Sequence, residues 1–263
     1  MVLFYLLLTL TCFLNQTKGT SSQARVIGGE DARAGQFPFA AAIQVQTSTS
    51  RFFCGGTLTA NQWVATSGHC VYNGVVFTIQ LGSNELDSDD PNRVTVSSST
   101  YILHPDFNPE TIENDIGLIK LRMSVEYHIY LHPIHPREGT LSDNASVYVL
   151  GWGQTSDSNA ELSNSLQYSV LSVITNAECR ITYGNQITDN MICAIGNYNE
   201  GTCTGDNGGG MVVQNGRTYA LVGIASFVSS DGCESIHPSG FTRTAPYYEW
   251  MTNITKETDD YFF

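Results

Sequence analysis

The chain is short of basic charge. Its 263 residues carry 12 Lys and Arg against 25 Asp and Glu, a formal net charge of −13. A surface of that sign repels phosphate backbones and anionic lipid, so neither nucleic acid nor a membrane surface is expected as a partner. Long hydrophobic runs are missing too. The apolar stretch 1–14, with Leu6-Leu7-Leu8 at its centre, falls short of the roughly 20 residues of a membrane-spanning helix. It reads as a secretory signal covering residues 1–19, with 20–25 as a short propeptide. No low-complexity linker and no internal repeat interrupts the rest. The CxxC and CxxH spacings of zinc sites are absent as well, which argues against a metal site built on the cysteines.

What is present is a secreted-type cysteine set. Of seven cysteines, Cys12 lies in the apolar leader. The other six are an even number, which implies disulfides and leaves their pairing open. Short apolar runs alternate with Gly, Asn, Asp and Ser clusters. Residues 39–46, 63–66, 78–81, 116–121, 147–150, 169–173, 210–213 and 219–224 read as strands. Many short strands with polar turns indicate an all-β sandwich or barrel. A helix is expected from about residue 247. Asn144-Ala145-Ser146 and Asn253-Ile254-Thr255 are glycosylation sequons, and Asn15-Gln16-Thr17 also matches but falls beside the leader. Glu85, Asp87, Asp89 and Asp90 crowd one loop. Calcium takes such oxygen ligands, but the loop reads as a solvated acidic turn, so no cofactor or metal is expected.

Five motifs follow one another in a telling order. They are Arg25-Val26-Ile27-Gly28-Gly29, Thr66-Ser67-Gly68-His69-Cys70, Asn114-Asp115-Ile116-Gly117-Leu118, Gly151-Trp152-Gly153 and Thr202-Cys203-Thr204-Gly205-Asp206. Together they resemble the trypsin/chymotrypsin-like serine proteases. Gly232-Cys233-Glu234 and Phe241-Thr242-Arg243 are similar to the brachyurin and insect-chymotrypsin branch. The order His, Asp, nucleophile position is that of chymotrypsin rather than subtilisin or the α/β-hydrolases. The resemblance covers residues 26–263 and implies two six-stranded antiparallel β-barrels packed face to face, with a C-terminal helix. It also implies the pairs Cys54–Cys70, Cys179–Cys193 and Cys203–Cys233.

Residue roles follow from the same resemblance. His69 would be the general base and Asp115 the carboxylate that fixes its tautomer. Gly205 and residue 207 would supply the oxyanion N–H groups. Cleavage after Arg25 would free Val26, whose amino group would pair with buried Asp206. Gly201, Ser226, Phe227, Val228 and Ser239 would form a small, neutral specificity pocket. At the nucleophile position, however, the chain has Asn207 where the family has serine. A carboxamide nitrogen has its lone pair delocalised into the carbonyl, so it cannot replace an activated hydroxyl. His69 and Asp115 are then expected to hydrogen-bond to the Asn207 side chain. Gly210 is a second departure, standing where the family commonly has proline.

The expectation is therefore a secreted, monomeric, non-catalytic homologue. It would bind peptide segments, protease inhibitors or cascade proteases. The alternative is an active endopeptidase of chymotrypsin/elastase-like specificity that uses another nucleophile, with Thr204 and Ser226 the nearest hydroxyls in sequence.

Overall fold

The computed structural model describes residues 29–196 and 200–256. The first half contributes β1 (Glu30–Asp31), β2 (Ala40–Gln46), β3 (Arg51–Ala60), β4 (Trp63–Thr66), a one-turn helix α1 (Gly68–Val71), β5 (Val76–Leu81), β6 (Val94–Ser98), β7 (Thr100–Leu103) and β8 (Gly117–Lys120). The second contributes β9 (Ser146–Gly151), β10 (Gln154–Ser156), β11 (Asn159–Leu162), β12 (Gln167–Ile174), α2 (Asn176–Tyr183), β13 (Met191–Ile195), β14 (Gly210–Asn215), β15 (Thr218–Phe227), β16 (Ser239–Arg243) and α3 (Tyr248–Lys256). The eight strands expected from sequence coincide with β2, β4, β5, β8, β9, β12, β14 and β15. The helix expected from residue 247 is α3.

All ladders between these strands are antiparallel, and they build the small hairpin β10-β11 and two large curled sheets. The second closes on itself in the order β12-β13-β16-β15-β14-β9, with β9 pairing back to β12. Its interior holds Val147, Val149, Leu171, Val173, Ile192, Met211 and Phe241. Alternation along β12 shows why: Leu171 and Val173 point in, and Val170 and Ser172 point out. The first sheet runs β6-β5-β2-β3-β4-β8-β7. It is a half-barrel, because its end strands β6 and β7 share no ladder; the chain turns a corner between them at Ser99. At that corner Ser98 Oγ donates to the Lys120 carbonyl at 2.5 Å and accepts from Thr100 N at 3.1 Å. A side chain there does the work of a missing ladder bond.

The six paired cysteines join Cys54 to Cys70, Cys179 to Cys193 and Cys203 to Cys233. Among the described residues no helix is long and apolar enough to cross a membrane.

Candidate active site

The site lies where loops of the two barrels meet. Asp115, just before β8, is fully buried. Its carboxylate accepts from His69 N and from His69 Nδ1, both at 2.8 Å. Ser226 Oγ, on β15 of the other barrel, donates to it at 2.5 Å. Thr242 Oγ1 donates to the Asp115 carbonyl at 2.8 Å. Three donors on the carboxylate offset the desolvation of a buried charge. They also fix the tautomer of His69, with the proton on Nδ1 and a lone pair on Nε2. His69 sits on α1, held to β3 by the neighbouring Cys54–Cys70 bridge.

Asn207 lies in the turn between Cys203 and β14. Its carbonyl accepts from Gly55 N at 2.7 Å, which ties the turn to β3 of the first barrel. Asp206 N donates to Cys203 O at 3.0 Å, and Gly208 N to Ala225 O at 2.8 Å. Among the described residues the N–H groups of Gly205 and Asn207 have no acceptor, so they are the uncommitted donors of this turn. Gly205 and Gly208 have φ of +99° and +83°, a region that favours glycine.

One expectation fails. Among the described residues no hydrogen bond joins His69 to the Asn207 side chain. The polar neighbours of His69 Nε2 are Ser67 Oγ at 3.5 Å and Cys70 Sγ at 3.7 Å. The physical reason is that the 207 backbone is anchored through its carbonyl, which fixes where its short side chain can reach. Ser67 belongs to the His69 motif but has no role assigned to it by sequence. It is fully buried, as the Thr-Ser-Gly run before His69 does not reveal.

Asp206 is buried beneath the turn. Its two oxygens accept from Gly153 N and Cys203 N, both at 2.8 Å. Burial raises its pKa to about 6, against the lowering effect of those two bonds. A Cβ at Gly153 would come within 2.6 Å of the carboxylate, and one at Gly151 would collide with Oδ1. The Gly-Trp-Gly motif is thus explained by the approach of this acid. No cation among the described residues meets it; Arg25 and Val26 lie outside those residues.

Of the five residues expected to form the pocket, Gly201 and Ser239 meet each other. A Cβ at Gly201 would meet Ser239 Oγ at 3.0 Å, and Ser239 Oγ accepts from Thr202 N at 3.1 Å. The Phe227 ring lies against Gly240, where any Cβ would clash, and edge-on to Tyr183 at 5.1 Å. Val228 packs on the Cys203–Cys233 bridge. None of Gly201, Ser226, Phe227, Val228 and Ser239 is charged. Asn144 and Asn253 are both exposed. In the acidic loop, Glu85 accepts from Asn164 Nδ2 at 2.9 Å and Ser165 Oγ at 2.8 Å, and Asp90 from Asn92 N at 2.9 Å. Hydrogen bonding to the Asn92 backbone lowers the Asp90 pKa.

Comparison with known proteins agrees with this architecture. The trypsin family model matches residues 26–251. The chain belongs to the trypsin family of chymotrypsin-like serine proteases. Chymotrypsin-like elastase family member 1 of Rattus norvegicus is 34% identical over 245 residues, 90% of this chain and 92% of that protein. Brachyurin of Leptuca pugilator is 31% identical over 230 residues, 88% of this chain and 98% of that one. The solved structure titled HL collagenase superposes with a TM-score of 0.79 at 35% identity, covering 88% of this chain and 98% of its own. Elastases and a brachyurin thus stand at similar distances from it.

Proposed function

We propose that this trypsin-family chain is a secreted, non-catalytic serine protease homologue that binds peptide segments, protease inhibitors or cascade proteases. The observation that carries the reading is Asn207 at the nucleophile position, beside a base and a carboxylate still joined at 2.8 Å. In a serine protease the base removes a proton from the hydroxyl as it attacks the scissile carbonyl. Here His69 Nε2 has no such hydroxyl to activate. In subtilisin, losing the nucleophile alone costs about 10⁶ in turnover, or roughly 8 kcal/mol of barrier. Three disulfides and an apolar leader suit an oxidising, extracellular setting.

The binding half of a protease does not need the lost hydroxyl. The uncommitted N–H groups of Gly205 and Asn207 can receive a carbonyl oxygen. The pocket at Gly201, Val228 and Ser239 would take Ala-, Val- or Leu-sized side chains, in keeping with relatives that are named elastases. It would reject Lys and Arg, since a buried cation without a partner is costly.

The alternative, an active endopeptidase, needs a substitute hydroxyl. Thr204 is exposed, and among the described residues no hydrogen bond joins it to His69. Ser226 is committed to Asp115, and Ser67 is fully buried. None of them combines access to substrate with access to the base. The test is covalent labelling of the Arg25-cleaved chain with a fluorophosphonate, run beside calorimetry with inhibitors that differ only at the P1 residue. No labelling, with binding that prefers small apolar P1 residues, is expected. Stoichiometric labelling at any residue would sink the reading.

A further inference from the structure

At the end of β8 away from Asp115, two open cavities of about 460 and 410 Å³ share Thr100 and Lys120. Five residues of extended chain separate this place from Asp115, roughly 16 Å. Gln62, Ser97, Ser99, Lys120 and Arg122 line the first cavity with Thr100. Trp63, Ile102, Asn253 and Ile254 complete the second. No Asp or Glu lines either one, in a chain with 25 acidic residues. Lys120 Nζ lies 5.5 Å from the Trp63 ring centroid, and a cation–π contact holds it at the seam between the cavities. Among the described residues neither Lys120 nor Arg122 has an ion-pair partner. The side-chain hydroxyls of Ser97, Ser99 and Thr100 likewise make no hydrogen bond there.

We propose that this groove binds an anionic polysaccharide. The ammonium of Lys120 and the guanidinium of Arg122 pair with its sulfate or carboxylate substituents. Ser97, Ser99, Thr100 and Gln62 meet sugar hydroxyls, and half-buried Ile254 gives a ring an apolar contact. Hydroxyl and amide groups outnumber cations in these walls. That balance suits a polyol with spaced charges better than a continuous polyanion. It also gives an otherwise acidic protein one address for an acidic matrix, remote from the peptide cleft and independent of Asn207.

Binding to immobilised dextran sulfate, alginate, neutral dextran and polyglutamate tests the idea. It is run on the whole chain and again in an Asn253→Gln background, so that a glycan at the groove rim does not decide the result. The chain should bind dextran sulfate or alginate, release it as salt rises, and ignore dextran. Lys120→Gln with Arg122→Gln should weaken binding roughly tenfold, as should Arg122→Gln alone to a smaller extent. Arg217→Gln, on the exposed β14–β15 turn, should leave it unchanged. Equal binding by the folded double variant would overturn the proposal, as would equally tight binding of polyglutamate. So would polysaccharide binding that emerges only after Glu257, Asp259 and Asp260 are neutralised, since the chain's own tail would then be the natural ligand.

Discussion

Asn207 differs from serine by a carboxamide in place of a hydroxyl, and the turn around it is arranged independently of that side chain. Gly55 N, Ala225 O and Cys203 O hold its backbone. Asn207→Ser should therefore restore measurable amide hydrolysis in the Arg25-cleaved chain, read as release of a chromophore from an Ala- or Leu-P1 peptide. Silence from a folded, cleaved variant would mean that the rest of the site has also decayed. The other departure, Gly210, belongs with its neighbours. A Cβ there would run into Thr57 Oγ1 and lie 3.2 Å from Leu221 Cδ1, and both of those side chains are fully buried. Gly210→Pro is thus no aid to revertants, contrary to what family habit suggests. Gly210→Ala should cost about 1–3 kcal/mol through overpacking, measured as a lower urea midpoint with an unchanged slope.

Among the elements, β3 best explains what the sequence hid. Gly55-Gly56 reads as a break, yet both lie inside a ten-residue strand. Gly55 is needed because its Cβ would come within 2.8 Å of the Gly209 backbone, and Gly56 because it faces Ile43 and Val64. The signal was therefore tertiary, a close approach of a loop distant in sequence. β13 and β16 escaped for a similar reason, since short Met-Ile-Cys-Ala-Ile and Ser-Gly-Phe-Thr-Arg runs gain strand character from their neighbours. Helix α2 carries a start signal in its sequence. Thr175-Asn176-Ala177-Glu178 is a capping box, with Glu178 N on Thr175 Oγ1 at 3.1 Å and Thr175 N on Glu178 Oε2 at 2.9 Å. His69 and Asp115 are readable because each sits in a local motif, whereas the bonds of Ser226 and Thr242 to Asp115 reach across 111 and 127 residues, which no local spacing encodes. Gly55→Ala tests the β3 argument. The obstacle is backbone rather than a movable side chain, so the turn at 205–209 must shift. Unfolding should become easier by about 1–3 kcal/mol, and inhibitor affinity should fall in the folded variant. Loss of stability with full affinity would show that β3 does not set the turn.

At the scale of the whole molecule, Asp206 is an acid buried beneath the turn that carries Asn207. The carboxylate is fully buried, with two backbone donors and no cation among the described residues. Its pKa stands at about 6 in the fold against an ordinary value of 3.8. A raised carboxylate pKa means that the folded state holds its proton more tightly than the unfolded state. Between those two values the folded chain binds more protons, so stability falls as pH rises. The penalty is absent below pH 3.8, complete above about 6, and worth roughly 3 kcal/mol. A chain cut after Arg25 presents the Val26 ammonium as a partner, which would pull the Asp206 pKa down and remove that penalty. Urea denaturation between pH 4 and 7 separates the cases. The uncut chain should lose stability across this window relative to Asp206→Asn, whose amide does not titrate, and the cut chain should not. Slopes decide the outcome rather than absolute stabilities, because the Asp206→Asn variant leaves one backbone N–H facing its new NH₂ group and starts from a lower baseline. Parallel slopes for the uncut chain and Asp206→Asn would mean that the buried acid is already compensated before cleavage, and the activation step would then have no energetic hold on this fold.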